Sequence, residues 1–74
     1  MTQAVILVKI SAEDTNKFVD DAKKLESVVD AYSVFGRFDC VVFVNAESLD
    51  GVKSTARKLG GFKGVKSTET LVEG

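Results

Sequence analysis

The sequence predicts an α+β domain in which four strands and two helices follow one another in the order β-α-β-β-α-β. Runs rich in Val, Ile and Thr alternate with stretches whose apolar residues recur at helical spacing. A glycine-containing turn joins the second and third strands and leaves no room for a helix between them. A chain of 74 residues has the length of one small domain, so we expect residues 1–74 to form a single unit.

The first half of the chain begins with a strand at Gln3–Ser11, where Val and Ile dominate. Ser11 can cap the helix that follows, and the acidic residues after it suit a first helical turn. The helix is predicted at Ala12–Glu26. Its inward-facing residues are Phe18, Val19, Ala22 and Leu25.

A hairpin follows, with strands at Ser27–Phe35 and Asp39–Ala46 and a tight turn at Gly36–Arg37. Ser48 can cap a second helix, in which every third or fourth residue is apolar. These apolar residues are Leu49, Val52, Ala56 and Leu59. We expect Gly60 and Gly61 to end the helix in a left-handed conformation, before a last strand at Val65–Val72.

This order is the split βαβ, or ferredoxin-like, pattern of a four-stranded antiparallel sheet with both helices on one face. Right-handed crossovers place the first and third strands at the centre of the sheet. Side chains alternate between the two faces of a strand. The helix face is then formed by Ala4, Ile6, Val8, Ile10, Cys40, Val42, Val44 and Ala46. The bare face carries an apolar centre of Val5, Leu7, Tyr32, Val41 and Phe43. Such a patch normally marks an interface, so we expect dimers that pair sheet to sheet through these five residues.

The composition excludes several classes of function for this chain. The chain has one Cys, no His and a net charge of −1. An internal disulfide, a His metal site and a His general base are therefore excluded, and no metal, cofactor or direct nucleic-acid contact is expected. The apolar run Ala4–Val8 is too short for a signal peptide or a membrane span. We expect a soluble cytoplasmic protein that does not contact membranes. We also expect the chain to associate, because oligomerisation compensates for the small core of so short a chain.

Other candidate sites have simpler explanations. Cys40 lies mid-strand on the helix face and is expected to be buried and inert. The run Gly60–Gly64 follows a helix and precedes a strand, which is the reverse of a phosphate-binding loop. The acidic residues of the first helix indicate a solvated face rather than a metal site. The first strand has no aromatic side chain with which an RNA-binding sheet could stack bases.

The mouth of the hairpin is the remaining candidate site. Gly36 allows a tight backbone there, and Arg37 and Asp39 offer opposite charges. Thr68 and Thr70 add hydroxyls from an edge strand. An amino acid carries one cation and one anion, so this mouth could hold both of its ends. The residues equally allow a solvent-exposed turn whose Asp bonds its own backbone.

The motifs "AYSVFGRFDCVVFV" and "GVKSTETLV" together resemble the RAM domain, the effector-binding half of the Lrp/AsnC transcription regulators. The resemblance covers essentially the whole chain. It implies a ferredoxin-like fold, dimers that assemble into larger rings, and small effectors, typically amino acids, bound between dimers near the hairpin. By this likeness Gly36, Arg37, Phe38 and Asp39 contact the effector, with Thr68 and Thr70 as further candidates. Tyr32 matches the aromatic residue of the motif.

The sequence departs from this family at two points. Phe35 stands where a small Thr is common, and the chain starts at the first strand without a helix-turn-helix. It therefore resembles a stand-alone RAM protein that senses a small molecule, assembles by itself or joins full-length relatives, and is not an enzyme. The alternatives are a cofactor-independent dimeric α/β enzyme and a purely structural oligomerisation module. ACT domains share the same order of elements.

Overall fold

The structure is a computed structural model that describes residues 1–73. Its regular elements are β1 (Thr2–Ile10), α1 (Thr15–Ala22), β2 (Val28–Ser33), β3 (Cys40–Ala46), α2 (Leu49–Gly60) and β4 (Val65–Val72). The strands form one sheet in the order β2-β3-β1-β4, and each neighbouring pair is antiparallel. The predicted ferredoxin-like order, with β1 and β3 at the centre, is confirmed.

The core lies between the sheet and the two helices, as the alternation of side chains predicted. All eight residues assigned to the helix face of β1 and β3 are buried. They pack with Phe18 and Ala22 of α1 and with Val52 and Leu59 of α2. Phe18 also meets Phe62 edge to face, with ring centroids 5.7 Å apart, which fixes the loop before β4 against α1.

The first helix is shorter than the predicted span Ala12–Glu26. Ala12–Asp14 is a short 3-10 helix, and α1 ends at Ala22. The Ser11 side chain makes no capping hydrogen bond. After Ala22 the backbone bonds change to three-residue spacing, with the N–H of Leu25 donating to the carbonyl of Ala22 at 3.1 Å. This tighter turn carries the chain back to the sheet while Leu25 still packs on the core.

The second helix begins as predicted, because the Ser48 hydroxyl accepts the Gly51 N–H at 3.3 Å. Leu49, however, is largely exposed. The predicted left-handed end at Gly60 and Gly61 is wrong, since Gly61 has φ −88°. The positive φ occurs three residues later, at Gly64 (+86°), where the chain turns into β4. No helix among residues 1–73 is long and apolar enough to cross a membrane.

Candidate functional site

The β2–β3 hairpin closes tightly at one end of the sheet. The Val34 N–H donates to the Asp39 carbonyl at 2.9 Å. Gly36 has φ +135°, a conformation that favours glycine, and no atom lies within 4 Å of the position its Cβ would take. Phe35 is fully exposed at the tip of the turn. The connection is wider than the two-residue turn predicted at Gly36–Arg37, because β2 ends at Ser33 and β3 begins only at Cys40. It depends on Gly36 for its backbone, and Phe35 presents a large apolar ring to its surroundings.

Asp39 connects the hairpin to the central strand rather than to its own turn. Its backbone N–H donates to the Val8 carbonyl, and its Oδ2 accepts the Ile10 N–H, both at 2.9 Å. The ladder between β1 and β3 ends at the pair Val8 and Cys40. Beyond this pair, the Asp39 carboxylate accepts the Ile10 N–H, which the backbone carbonyl of a longer partner strand would otherwise accept. Its Oδ1 has no hydrogen-bond partner within the described part of the chain.

A cleft of about 490 Å³ lies beside the hairpin, where the turn approaches the beginning of β4. Its lining residues are Lys9, Arg37, Phe38, Ser67, Thr68 and Glu69. Charges of both signs therefore line one cleft. None of these charged side chains forms an ion pair within residues 1–73, where the two ion pairs involve Asp21 of α1 with Lys17 and Lys24. A cleft with unpaired cations and a carboxylate can hold a ligand that carries both charges.

The structure brings some of the predicted site residues together. Arg37, Phe38 and Thr68 line the cleft, whereas Gly36 and Asp39, which flank Arg37 and Phe38 in the chain, do not. Thr70 lies elsewhere, in a groove on the helix side of β4. The strand register places both threonines on the helix face, because Thr68 pairs with Val8 and Thr70 with Ile6, whose side chains point into the core. Thr68 also borders the cleft, whereas Thr70 does not.

Sequence reasoning missed three lining residues: Lys9, Ser67 and Glu69. Lys9 pairs with Ser67, and Leu7 pairs with Glu69, so Lys9 and Glu69 are diagonal neighbours on the bare face. The alternation of β1 already placed Lys9 on this face. The missing information was the register of β4, which joins residues from opposite ends of the chain.

The bare face carries the apolar patch that the sequence predicted. Tyr32 and Phe43 lie side by side, with ring centroids 5.8 Å apart. Val41 is buried beside them, whereas Tyr32 is 45% exposed. Val5, Leu7 and Phe43 are half-buried. A depression of about 740 Å³ continues the patch past Val5 and Phe43 toward Leu71, which is 51% exposed.

Reactive groups in the described chain are few. Cys40 is a free thiol that is completely buried in the core. Burial raises the pKa of the Cys40 thiol, and the neighbouring Asp39 carboxylate raises it further. This keeps the thiol protonated and unreactive at neutral pH. Among residues 1–73 no three Cys, Asp or Glu side chains are placed to share a metal ion.

Comparison with known families decides between the folds that share this order of elements. The protein-family model of the Lrp/AsnC ligand binding domain matches residues 3–73. The chain belongs to this family. The matched region contains the hairpin, the cleft beside it and the whole apolar patch on the bare face.

Solved structures show that this Lrp/AsnC domain shares its fold with distant proteins. The protein TTHA0845 from Thermus thermophilus is 24% identical, with a TM-score of 0.93, over 99% of this chain and 92% of that one. AsnC of E. coli is 24% identical, with a TM-score of 0.87, over 97% of this chain and 50% of that one. The transcriptional regulator NMB0573 of Neisseria meningitidis, solved as a complex with L-Met, is 20% identical. Its TM-score is 0.82, over 97% of this chain and 49% of that one. No curated protein sequence matches significantly.

Proposed function

We propose that this chain is a regulatory module that binds a small effector, an amino acid, in the cleft beside the β2–β3 hairpin. The observation that carries the proposal is the presence of both charge signs in one cleft, with Arg37 and Lys9 as the cations and Glu69 as the anion. A zwitterion satisfies both signs at once. Membership of a ligand-binding family supports an effector role, and the structurally similar regulator NMB0573 was solved with L-Met.

Each group at the hairpin has a distinct role in the proposed site. Arg37 offers a planar, bidentate donor for the effector carboxylate. The ammonium group is received by Glu69 and by Oδ1 of Asp39, the oxygen that is not engaged with Ile10. Gly36 lets the backbone approach closely, because it has no side chain. Phe38 supplies an apolar wall, and the Thr68 segment closes the cleft from β4.

We further propose that two copies pair through the bare face. The interface is formed by Val5, Leu7, Tyr32, Val41 and Phe43. Supporting this, Tyr32 within the patch is 45% exposed and Leu71 beside it is 51% exposed. An exposed apolar patch of this kind normally marks an interaction surface. In this proposal, effector bound at a seam between dimers stabilises a larger ring by binding it more tightly than the separate dimers.

The proposed module works in the cytoplasm without binding DNA itself, and it acts through self-assembly or by joining full-length Lrp/AsnC relatives. Its near-neutral charge supports this assignment, because autonomous DNA binding depends on neutralising phosphates with an excess of cations. Catalysis forms no part of the proposal.

The test is a thermal-shift screen of the common amino acids, including methionine, followed by calorimetry and light scattering of any hit. Arg37→Gln should weaken the hit on the order of tenfold, since it removes a charge-assisted bond. Lys66→Gln is the matched control, because Lys66 is an exposed cation on β4 that does not line the cleft. Absence of any hit at millimolar concentration would favour a purely structural module. An equal loss in both variants would show a general charge effect and refute the assigned site.

A further inference from the structure

A second groove lies on the other side of the sheet, between α2 and the edge strand β4. It has a volume of about 630 Å³. Its lining residues are Leu49, Val52, Lys53, Ala56, Arg57, Gly60, Thr68, Thr70 and Val72. The groove is distinct from the hairpin cleft, and Thr68 is the one residue that both share.

The groove exists because α2 leaves the edge strand uncovered. Thr68, Thr70 and Val72 pair with Val8, Ile6 and Ala4, so their side chains project on the helix face. All three are nevertheless exposed, unlike their buried partners on β1. The groove is open beside Gly60, where a Cβ would meet no atom within 4 Å.

The charge in this groove has a single sign. Lys53 and Arg57 are four residues apart on α2 and therefore project from the same side of the helix. Neither forms an ion pair within residues 1–73. No acidic side chain among residues 1–73 lines the groove, although Asp and Glu outnumber Lys and Arg in the whole chain by 11 to 10. The hairpin cleft differs, because it contains Glu69.

We propose that the α2–β4 groove binds a small carboxylic acid that has an apolar body and no ammonium group, such as an α-keto acid. Lys53 and Arg57 receive the carboxylate. The hydroxyls of Thr68 and Thr70 donate to the keto oxygen. The apolar body lies against the aliphatic part of the groove, formed by Leu49, Val52, Ala56 and Val72.

The absence of a carboxylate from the lining sets the selectivity. An ammonium group placed beside Lys53 and Arg57 meets two like charges and no anionic acceptor. An amino acid is therefore disfavoured in this groove relative to the keto acid of the same carbon skeleton. The hairpin cleft is expected to have the opposite preference. The inference goes beyond the proposed function, because it concerns a separate site with a different ligand chemistry.

The experiment is an amide NMR titration of the whole chain with α-ketoisocaproate, its amino acid leucine and the neutral isocaproamide. We expect α-ketoisocaproate to shift amides of α2 and β4, and to bind there at least tenfold more tightly than leucine or the amide. Lys53→Gln and Arg57→Gln should each weaken this binding on the order of tenfold. Thr70→Val, which removes a hydroxyl at almost constant volume, should weaken it severalfold.

Lys58→Gln is the matched control, because Lys58 is an exposed cation of the same helix outside the groove. It should leave binding unchanged, as should Arg37→Gln in the hairpin cleft. Equal binding of leucine or the amide, an effect of Lys58→Gln as large as that of Arg57→Gln, or no shift at millimolar α-ketoisocaproate would each overturn the inference. Loss of binding in Arg37→Gln alone would place the keto acid in the hairpin cleft and also refute it. These outcomes are separate from the amino-acid screen, which Lys53→Gln should not affect.

Discussion

Asp39 has two separable roles, one in stability and one in the proposed effector site, and two substitutions distinguish them. Its Oδ2 accepts the N–H of Ile10 at 2.9 Å, and Ile10 is only 3% exposed. Asp39→Ala leaves this buried N–H without an acceptor. Asp39→Asn keeps a side-chain oxygen at nearly the same position and removes only the charge.

The magnitudes follow from this bond. A hydrogen bond to a charged acceptor contributes about 1.5–3 kcal/mol, and a neutral one about 0.5–1.5 kcal/mol. Asp39→Asn should therefore reduce the free energy of unfolding by about 1 kcal/mol. Asp39→Ala should reduce it by about 2–3 kcal/mol, because the unpaired N–H also loses its solvation. For a domain of this size, each kcal/mol corresponds to a melting temperature lower by about 4–8 °C.

The assay is thermal and urea unfolding at one fixed protein concentration, since association changes apparent stability. Asp20→Asn controls for the change in net charge, because Asp20 is an exposed carboxylate on α1 that forms no ion pair within the described part of the chain. Calorimetry of an effector found in the screen then measures affinity, which Asp39→Asn should lower on the order of tenfold with the dimer intact. Should Asp39→Ala be no less stable than Asp20→Asn, the structural part of the reasoning is wrong. Equal effector affinity in wild type and Asp39→Asn would remove Asp39 from the site.

Three further predictions concern the backbone, the thiol and the bare face. In a urea titration, Gly64→Ala should lower the free energy of unfolding by about 1–3 kcal/mol, because φ is +86° and a Cβ would overlap the Asp14 carboxyl group. The control Gly60→Ala should change it little, because φ is negative there and the space is open. Cys40 should resist iodoacetamide until the protein unfolds. Rapid labelling of the native protein would contradict its burial. Because the pKa of the Cys40 thiol is raised in the folded state, the free energy of unfolding should be constant near neutral pH. It should fall as pH rises through the ordinary thiol range, where the unfolded thiol ionises first. Phe43→Asp should give monomers or unfolded chain in light scattering, since it places a charge in the proposed interface, and a folded dimer of this variant would count against that interface.

The sequence was sufficient for the faces of the sheet because alternation is a local property. Ile6 and Val42 point into the core, and Val5 and Phe43 point away from it, as two-residue spacing requires. The composition of the cleft could not be derived in the same way. Glu69 reaches the hairpin cleft through the register of β4 against β1, which no local pattern specifies.

Helix ends were less predictable for a related reason. Leu25 continues the helical spacing of α1 and does pack on the core, yet it does so from a tighter turn after Ala22. Periodicity indicates which side chains face the core, and Leu25 faces it both in a continued α-helix and in the observed turn. The hydrogen bond from the Ile10 N–H to the Asp39 side chain could not be predicted either, because the two residues are 29 positions apart in the chain.

The central position of β1 has a consequence for how the chain folds. This strand is synthesised before its partners β3 and β4, and the β4 ladder joins residues as distant as Ala4 and Val72. The backbone bond from Glu73 N–H to the Gln3 carbonyl, at 3.0 Å, lies at the outer end of this ladder. Such long-range pairing carries a large loop-closure entropy before any contact compensates for it. A nascent chain therefore exposes one edge of this central, apolar strand until β4 leaves the ribosome. Folding should be slower than that of helical domains of equal length.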